Sequence, residues 1–333
     1  MTSWLARMLR WVTGEGTALT DQAVTPAAPE VTTKGTEATP ALAAQAISGG
    51  AVEAEAIANL ELRFFQWLIG DVLQAGAPDA AAEARLLAHL DAVARSEQMR
   101  ADLLPRAQSV IPELLHSLRD DTQSVRALSA RVARDPNLVV EVIRLANTVG
   151  YRPDSPVADL MQAVARLGTE GLRRAIARVL LKPIFDAQAD PLLGRATQRL
   201  WQQSELKASL CLQQASSAGL DPFESYLAGL MHNVGWTALF RAIDRSPGGA
   251  PLVFSSNLIH ALDPRRERLF ALFVGSWELS DTLTSLAREI LHVGFAAAHH
   301  PMAQLLLYAD RVSAQQLLQP VMGSSPSTDS AGV

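Results

Sequence analysis

The amino-acid sequence predicts an all-α protein, and three observations carry that expectation. Alanine and leucine are plentiful, hydrophobic residues make up 48% and aromatic residues only 5%, and β-branched runs are scarce, a balance that favours packed helices over sheets. Apolar residues recur at helical rather than alternating spacing through most of the chain. Helix starts and stops punctuate it at Asp135-Pro136, Gly168, Gly219 and Asp221-Pro222. The 333 residues can bury a substantial core, as one large domain or two ordinary ones.

The elements follow in order. At 1–12, Trp4, Leu5, Met8, Leu9, Trp11 and Val12 fall on one helical face with Ser3, Arg7 and Arg10 opposite. This predicts an amphipathic helix suited to docking or to peripheral membrane contact, with Trp4 and Trp11 as contact candidates; the alternative is a frayed terminus. Residues 13–50 are rich in Ala, Thr and Pro without period, which predicts a disordered linker acting as a tether. Residues 51–100 predict a helical hairpin. Leu60, Phe64, Trp67, Leu68 and Val72 mark the buried face of its first helix, and the second runs from about Pro78 to Met99. Such a hairpin packs on the following domain or on a second subunit of a homodimer.

Residues 101–319 form the main domain. After Val110, Ile111, Leu114, Leu115 and Leu118 at helical spacing, a helix is expected from about Ser124 to Arg134. Asp135-Pro136 opens another, carrying Leu138, Val142 and Ala146, which stops around Asn147 to Gly150. A helix from about Val157 to Leu167 ends at Gly168, and Leu172, Ile176, Val179 and Leu180 form the next, halted by Pro183. A long helix covers Leu193 to Ala218, closed by Gly219. Asp221-Pro222 with Glu224 opens a helix whose third turn holds His232 and Asn233. Arg265-Arg266-Glu267-Arg268 reads as a polar helix start, Leu305 to Leu318 as a helix holding Asp310 and Arg311, and 320–333 as a disordered tail.

Charge and composition exclude several functions. A net charge of −5 gives no basic footprint for nucleic acid. The single cysteine, Cys211, cannot pair within the chain and reads as a small core residue, so a reducing cytoplasm is the expected compartment. No apolar run approaches the roughly 20 residues that span a bilayer, and no secretory signal is apparent. Neither a Gly-rich phosphate loop nor a His and acid partner for Ser204, Ser209 or Cys211 is visible.

The chemistry centres on Leu230-Met231-His232-Asn233-Val234-Gly235-Trp236, which with an Asp at 233 would read as a metal site. Together with Leu104-Pro105, Asp135-Pro136, Arg144-Leu145-Ala146-Asn147, Ala163-Val164-Ala165-Arg166-Leu167-Gly168, Leu200-Trp201-Gln202-Gln203-Ser204, Trp277-Glu278-Leu279 and Tyr308-Ala309-Asp310-Arg311, it resembles the HDOD domain, a relative of the HD metal-dependent phosphohydrolases. The resemblance covers about Asp102 to Arg311. It implies an all-helical domain in two subdomains, found mostly in bacterial signalling proteins and generally not a demonstrated catalyst. The matching of motifs puts Gln203 where catalytic relatives have a first His ligand, turns the His-Asp pair into His232-Asn233, and keeps only Asp310; Ser280 stands where a proline is often found.

Neutral amides bind hard cations feebly without carboxylates nearby. The expectation is therefore a vestigial site at Gln203, His232, Asn233 and Asp310, with no catalytic residue, no metal and no cofactor. The same four residues are more simply read as a hydrogen-bonded cluster joining the helices. The expected function is a non-catalytic signalling module acting through a protein partner. Asn147, Arg173 and Arg174 are further contact candidates, although Arg173, Arg174 and Arg178 read more simply as a solvated helix face with internal ion pairs. The alternatives are a metal-dependent phosphohydrolase with ligands recruited from His292, His299 or His300, and a nucleotide second-messenger binder that does not hydrolyse; His299 and His300 read otherwise as surface or cap residues.

Overall fold

The computed structural model describes residues 50–70, 77–104, 118, 125–147, 156–186, 190–251 and 253–319. The expected N-terminal helix with Trp4 and Trp11, nearly all of the linker, the segment around Pro105 and Pro112 and the C-terminal tail lie outside them. The chain divides into two compact units, residues 1–59 and 60–333. Of the first, only the opening of one helix is described; all contacts below are within the second.

Every regular element among the described residues is helical. The α-helices are α1 (Gly50–Ile69), α2 (Ala80–Arg95), α3 (Glu97–Leu103), α4 (Val125–Val132), α5 (Pro136–Ala146), α6 (Leu160–Leu181), α7 (Pro191–Gln214), α8 (Pro222–Met231), α9 (Val234–Asp244), α10 (Ser256–Trp277), α11 (Asp281–Val293) and α12 (Pro301–Leu318). The fold is all-α, as expected. No described helix is long and apolar enough to cross a membrane.

Local chemistry explains where the helices differ from simple periodicity. Ser96 donates its backbone N–H to the carbonyls of Ala92 and Val93 while its hydroxyl accepts from Met99 N. One residue thus ends α2 and starts α3, so the single helix expected from Pro78 to Met99 is two. Gly168, at φ 63°, breaks α6 where the sequence places a helix end. Asp221 accepts from Glu224 N at 2.7 Å, the cap its sequence signals. The helix so begun stops at Met231 and α9 starts at Val234. His232 and Asn233 are therefore a junction rather than a third turn, because Asn233 adopts φ −75°, ψ 2° and leaves the helical register. Arg265-Arg266-Glu267-Arg268 likewise lies in the middle of α10, with Arg266 and Glu267 buried.

Packing brings five of these elements to one place. α7 packs on α8, α9 and α12, and α10 packs on α9, α11 and α2. The α7–α8 pair is antiparallel: Gly229 faces Ala208, while Asn233 faces Leu200 and Gln203. Two glycines make the approach close enough. A methyl at Gly229 would stand 2.8 Å from the Ala208 backbone, and one at Gly235 would overlap the Arg266 carbonyl and lie 3.1 Å from Phe270 Cβ.

The outer helices hold these in place. Glu83 of α2 accepts from Ser255 N at 3.0 Å and Oγ at 2.8 Å, and Asp91 pairs twice with Arg265 at 2.9 Å, fixing the first half of α10. Phe65 of α1 meets Trp236, Phe240 and Phe254 with ring centroids 5.9, 6.1 and 5.1 Å away. Arg199 of α7 donates to the Trp67 and Leu68 carbonyls at the end of α1 and lies over the Trp67 ring. Asp244 of α9 accepts from the first N–H groups of α7, at Leu192 and Leu193.

Gly235→Ala and Gly229→Ala should each destabilise the chain by about 1–3 kcal/mol through overpacking against backbone. Gly248→Ala, at a position open to solvent space, should change it by less than about 0.5 kcal/mol. Urea unfolding of the three variants checks the contrast.

Candidate functional site

At the meeting of α7, the α8–α9 junction, α10 and α12 lies a set of buried polar side chains: Gln203, Lys207, His232, Asn233, Arg266, Glu267, Ser313 and the partly exposed Asp310. Its centre is the ammonium of Lys207, whose side chain is wholly buried. Nζ lies 2.9 Å from His232 Nδ1 and 2.8 Å from Asn233 Oδ1, and it forms an ion pair with Asp310 Oδ1. An ammonium has three protons and no acceptor, and three acceptors surround it.

The rest of the network follows from that placement. His232 accepts at Nδ1, so its proton sits on Nε2, which donates to Glu267 Oε2 at 3.0 Å. The ring stacks on Phe295 at 5.2 Å and meets Phe270 edge-on at 4.9 Å. Asn233 Nδ2 donates to the Leu200 carbonyl and to Gln203 Oε1, both at 2.9 Å. Gln203 Nε2 donates in turn to Asp310 Oδ1 and Ser313 Oγ, both at 3.2 Å. Arg266 binds Asp310 Oδ2 at 2.9 Å, Glu267 Oε1 at 2.6 Å and Asp263 Oδ1 at 2.6 Å, with the Trp236 ring 5.0 Å away.

The electrostatics follow the same contacts. Burial lowers the Lys207 pKa from the usual lysine value, with Asp310 opposing. Burial alone would raise Asp310, but Lys207 and Arg266 hold it far below the carboxylate range. Glu267 is likewise lowered, because Arg266 and His232 outweigh its burial. Burial lowers His232 below 6.5 despite Glu267, which agrees with a neutral imidazole bonded through both nitrogens.

The structure therefore brings together all four residues singled out from the sequence, and adds Lys207, Arg266 and Glu267. Two signals could have found Lys207: it lies four residues after Gln203 on the same helical face, and it is one of only three lysines, with Lys34 and Lys182, among 29 basic residues. Glu267 was hidden in a run that reads as solvated.

The other candidates lie elsewhere. Asn147 exchanges two 2.8 Å hydrogen bonds with the backbone of Val157. Arg173 is buried and pairs with Glu170 at 2.8 Å, Arg178 is buried between Glu141 and Glu205, and Arg174 donates to the Glu170 carbonyl. The expected solvated face is thus corrected: Arg173 and Arg178 are buried, Arg178 against carboxylates of two other helices and Arg173 paired with the exposed Glu170 of its own helix.

His292 and His299 are exposed. His300 caps α12 by accepting from Met302 N at Nδ1, so its Nε2–H faces Ser285 Oγ as a donor and cannot activate that serine as a base. Among the described residues, the group of ligand types close enough to share an ion is His232, Glu267 and Asp310, and it includes none of these three histidines.

A divalent metal of the HD type needs free lone pairs and an open coordination position. The residues present do not fit it. His232 Nδ1, Asn233 Oδ1 and Asp310 Oδ1 all face the Lys207 ammonium, Asp310 Oδ2 faces Arg266, and His232 Nε2 is spent on Glu267.

The neutral His232 also makes stability depend on pH. The unfolded chain takes up a proton near pH 6.5 that the folded chain refuses, so this contribution is complete above that pH and is lost below it. The melting temperature of the native chain should fall more between about pH 7 and pH 5 than that of His232→Gln. Burial raises Glu61, Asp244 and Asp263, which act in the opposite sense; both proteins share them, so the difference in slope reports His232.

Comparison with known proteins gives the family of the chain. The HDOD domain family model matches residues 104–289. An uncharacterized protein of Treponema pallidum (strain Nichols) is 24% identical over 138 residues, 41% of this chain and 26% of that protein. The chain thus spans about a quarter of the length of that relative. Among solved structures, a provisionally assigned metal-dependent phosphohydrolase from Shewanella amazonensis SB2B is 17% identical, covering 73% of this chain and 86% of its own, with a TM-score of 0.49. An HDOD domain protein of unknown function from Geobacter sulfurreducens is 18% identical over 81% of this chain and 83% of its own, with a TM-score of 0.46. The family match takes in more than half of the 333 residues, including the His232-Asn233 junction and the lysine beneath it, and the chain belongs to the HDOD domain family.

Proposed function

We propose that this chain is a non-catalytic signalling module of the cytoplasm that acts by binding a protein partner, with the amphipathic N-terminal segment as a second, tethered contact. The observation that carries the reading is the closed network around Lys207. Each lone pair that would face a metal there accepts a hydrogen bond or an ion pair, so nothing remains to polarise a phosphate or to activate water. The amino-acid balance agrees, with a net charge of −5 that does not favour a nucleic-acid partner.

A second reading is supported by one observation. His232, Glu267 and Asp310 present ligand atoms within 4.8 Å of one another, the makings of a hydrolase site if Lys207 were to withdraw. Metal analysis together with a phosphodiester substrate separates the two. The purified chain should carry no stoichiometric iron, manganese or zinc and should not hydrolyse bis(p-nitrophenyl) phosphate above the blank. Stoichiometric metal with turnover that disappears in His232→Ala and Asp310→Ala would overturn the signalling proposal. Calorimetry against cyclic dinucleotides tests whether the domain binds a second messenger instead.

Asn233→Asp alone should not create hydrolysis. The new carboxylate would face the Leu200 carbonyl and Gln203 Oε1, both acceptors, at a cost of about 1–3 kcal/mol. Denaturant unfolding and the same phosphodiesterase assay check both halves.

A further inference from the structure

The hollow that holds the Lys207 ammonium is built like an ion site. Three acceptors, a ring nitrogen, an amide oxygen and a carboxylate oxygen, converge on one point from two helical segments distant in sequence. Each is oriented from behind. Glu267 accepts from the far nitrogen of His232, Gln203 and the Leu200 carbonyl hold the Asn233 amide, and Arg266 holds the second oxygen of Asp310. Outer partners of this kind are what fix the ligands of a metal.

The occupant also fits the place. Arginine supplies 26 of the 29 basic residues, yet a lysine stands here. A guanidinium spreads its donors over a planar fork, whereas an ammonium presents all three at one atom, as these acceptors require.

We infer that this hollow is a cation-binding site whose resident ion is the chain's own Lys207 ammonium, and that it accepts a divalent first-row metal ion when that ammonium is removed. Charge favours the exchange. Without Lys207, Arg266 alone faces Asp263, Glu267 and Asp310, leaving two negative charges in excess, which a divalent ion offsets. Asp310, whose side chain is 21% exposed, gives the ion its route from solvent. The ligand types, imidazole with oxygen, suit zinc or cobalt rather than an all-oxygen ion such as calcium. The inference rests on the signalling proposal only in that the native hollow holds no metal.

Lys207→Ala titrated with Zn²⁺ by calorimetry and with Co²⁺ by visible absorption should bind one ion per chain, at least about 100-fold more tightly than the native chain. The Co²⁺ ligand-field band of imidazole coordination should disappear, with the affinity, when His232→Gln is added. No binding by Lys207→Ala, or binding that survives the loss of His232, overturns the inference while leaving the signalling proposal untouched. Native metal with turnover overturns that proposal instead.

If Lys207→Ala folds only with Co²⁺ present, the inference stands. Should the variant fail to fold under either condition, the native chain decides. With ¹⁵N-lysine, Lys207 should show a slowly exchanging Nζ signal and resist reductive methylation, while the exposed Lys182 exchanges and reacts. A Lys207 that behaves as Lys182 does overturns the inference.

Discussion

A charge carried out of water must find its partners in the protein, and the Lys207 ammonium finds three. Removing an ion from water costs several kcal/mol even after relaxation, and stranding one by deleting its partner costs about 3–5 kcal/mol. The positions of α7, the α8–α9 junction and α12 are set by that requirement. Asn233 leaves the helical register just after His232, and both side chains reach that one point. Asp310 reaches the same point from α12, and its second oxygen ties Arg266, and with it α10, into the cluster.

The network depends in turn on distances that only small residues permit. Gly229 lets the backbone of α8 rest on that of α7, and Gly235 does the same between α9 and α10. Polar contacts of 2.8 to 3.2 Å across three helices are reachable only because these backbones approach so closely. Aromatic rings then close the site: Phe270 and Phe295 enclose the His232 imidazole, and Trp236 lies between the Arg266 guanidinium and Phe65 of α1. A low-dielectric wall of this kind strengthens each hydrogen bond inside it and raises the cost of any group left without one.

The helical fold was legible in the sequence because helix starts, stops and apolar spacing are local signals. Asp221, Gly168 and Gly219 act as their chemistry suggests. What misled was burial, which is not local. Arg173, Arg178, Arg266 and Glu267 carry charges that a single sequence assigns to solvent, yet they are buried; Arg178, Arg266 and Glu267 meet partners there from elements far along the chain, Glu141 and Glu205, Asp310, and His232. Gln203, His232, Asn233 and Asp310 were found through motifs, but the group that organises them was not, since a lysine in a helix ordinarily reads as surface. Ser96 shows the same limit on a small scale: nothing in the periodicity marks it as both an end and a beginning.

The closed pairing of Gln203, Asn233, Lys207, His232 and Asp310 also shapes what mutation can reach. Each donor has its acceptor, so a single substitution toward a metal-binding set leaves an orphan: a carboxylate at 233 faces two acceptors, an imidazole at 203 gives up a bond to Asn233, Asp310 or Ser313, and loss of Lys207 leaves His232 Nδ1 and Asn233 Oδ1 without their donor. Changes that are harmful alone become compatible when made together, which is strong epistasis written into hydrogen-bond stoichiometry. In sequence space the histidine and aspartate ligand set that 203 and 233 lack is reached only by several simultaneous substitutions.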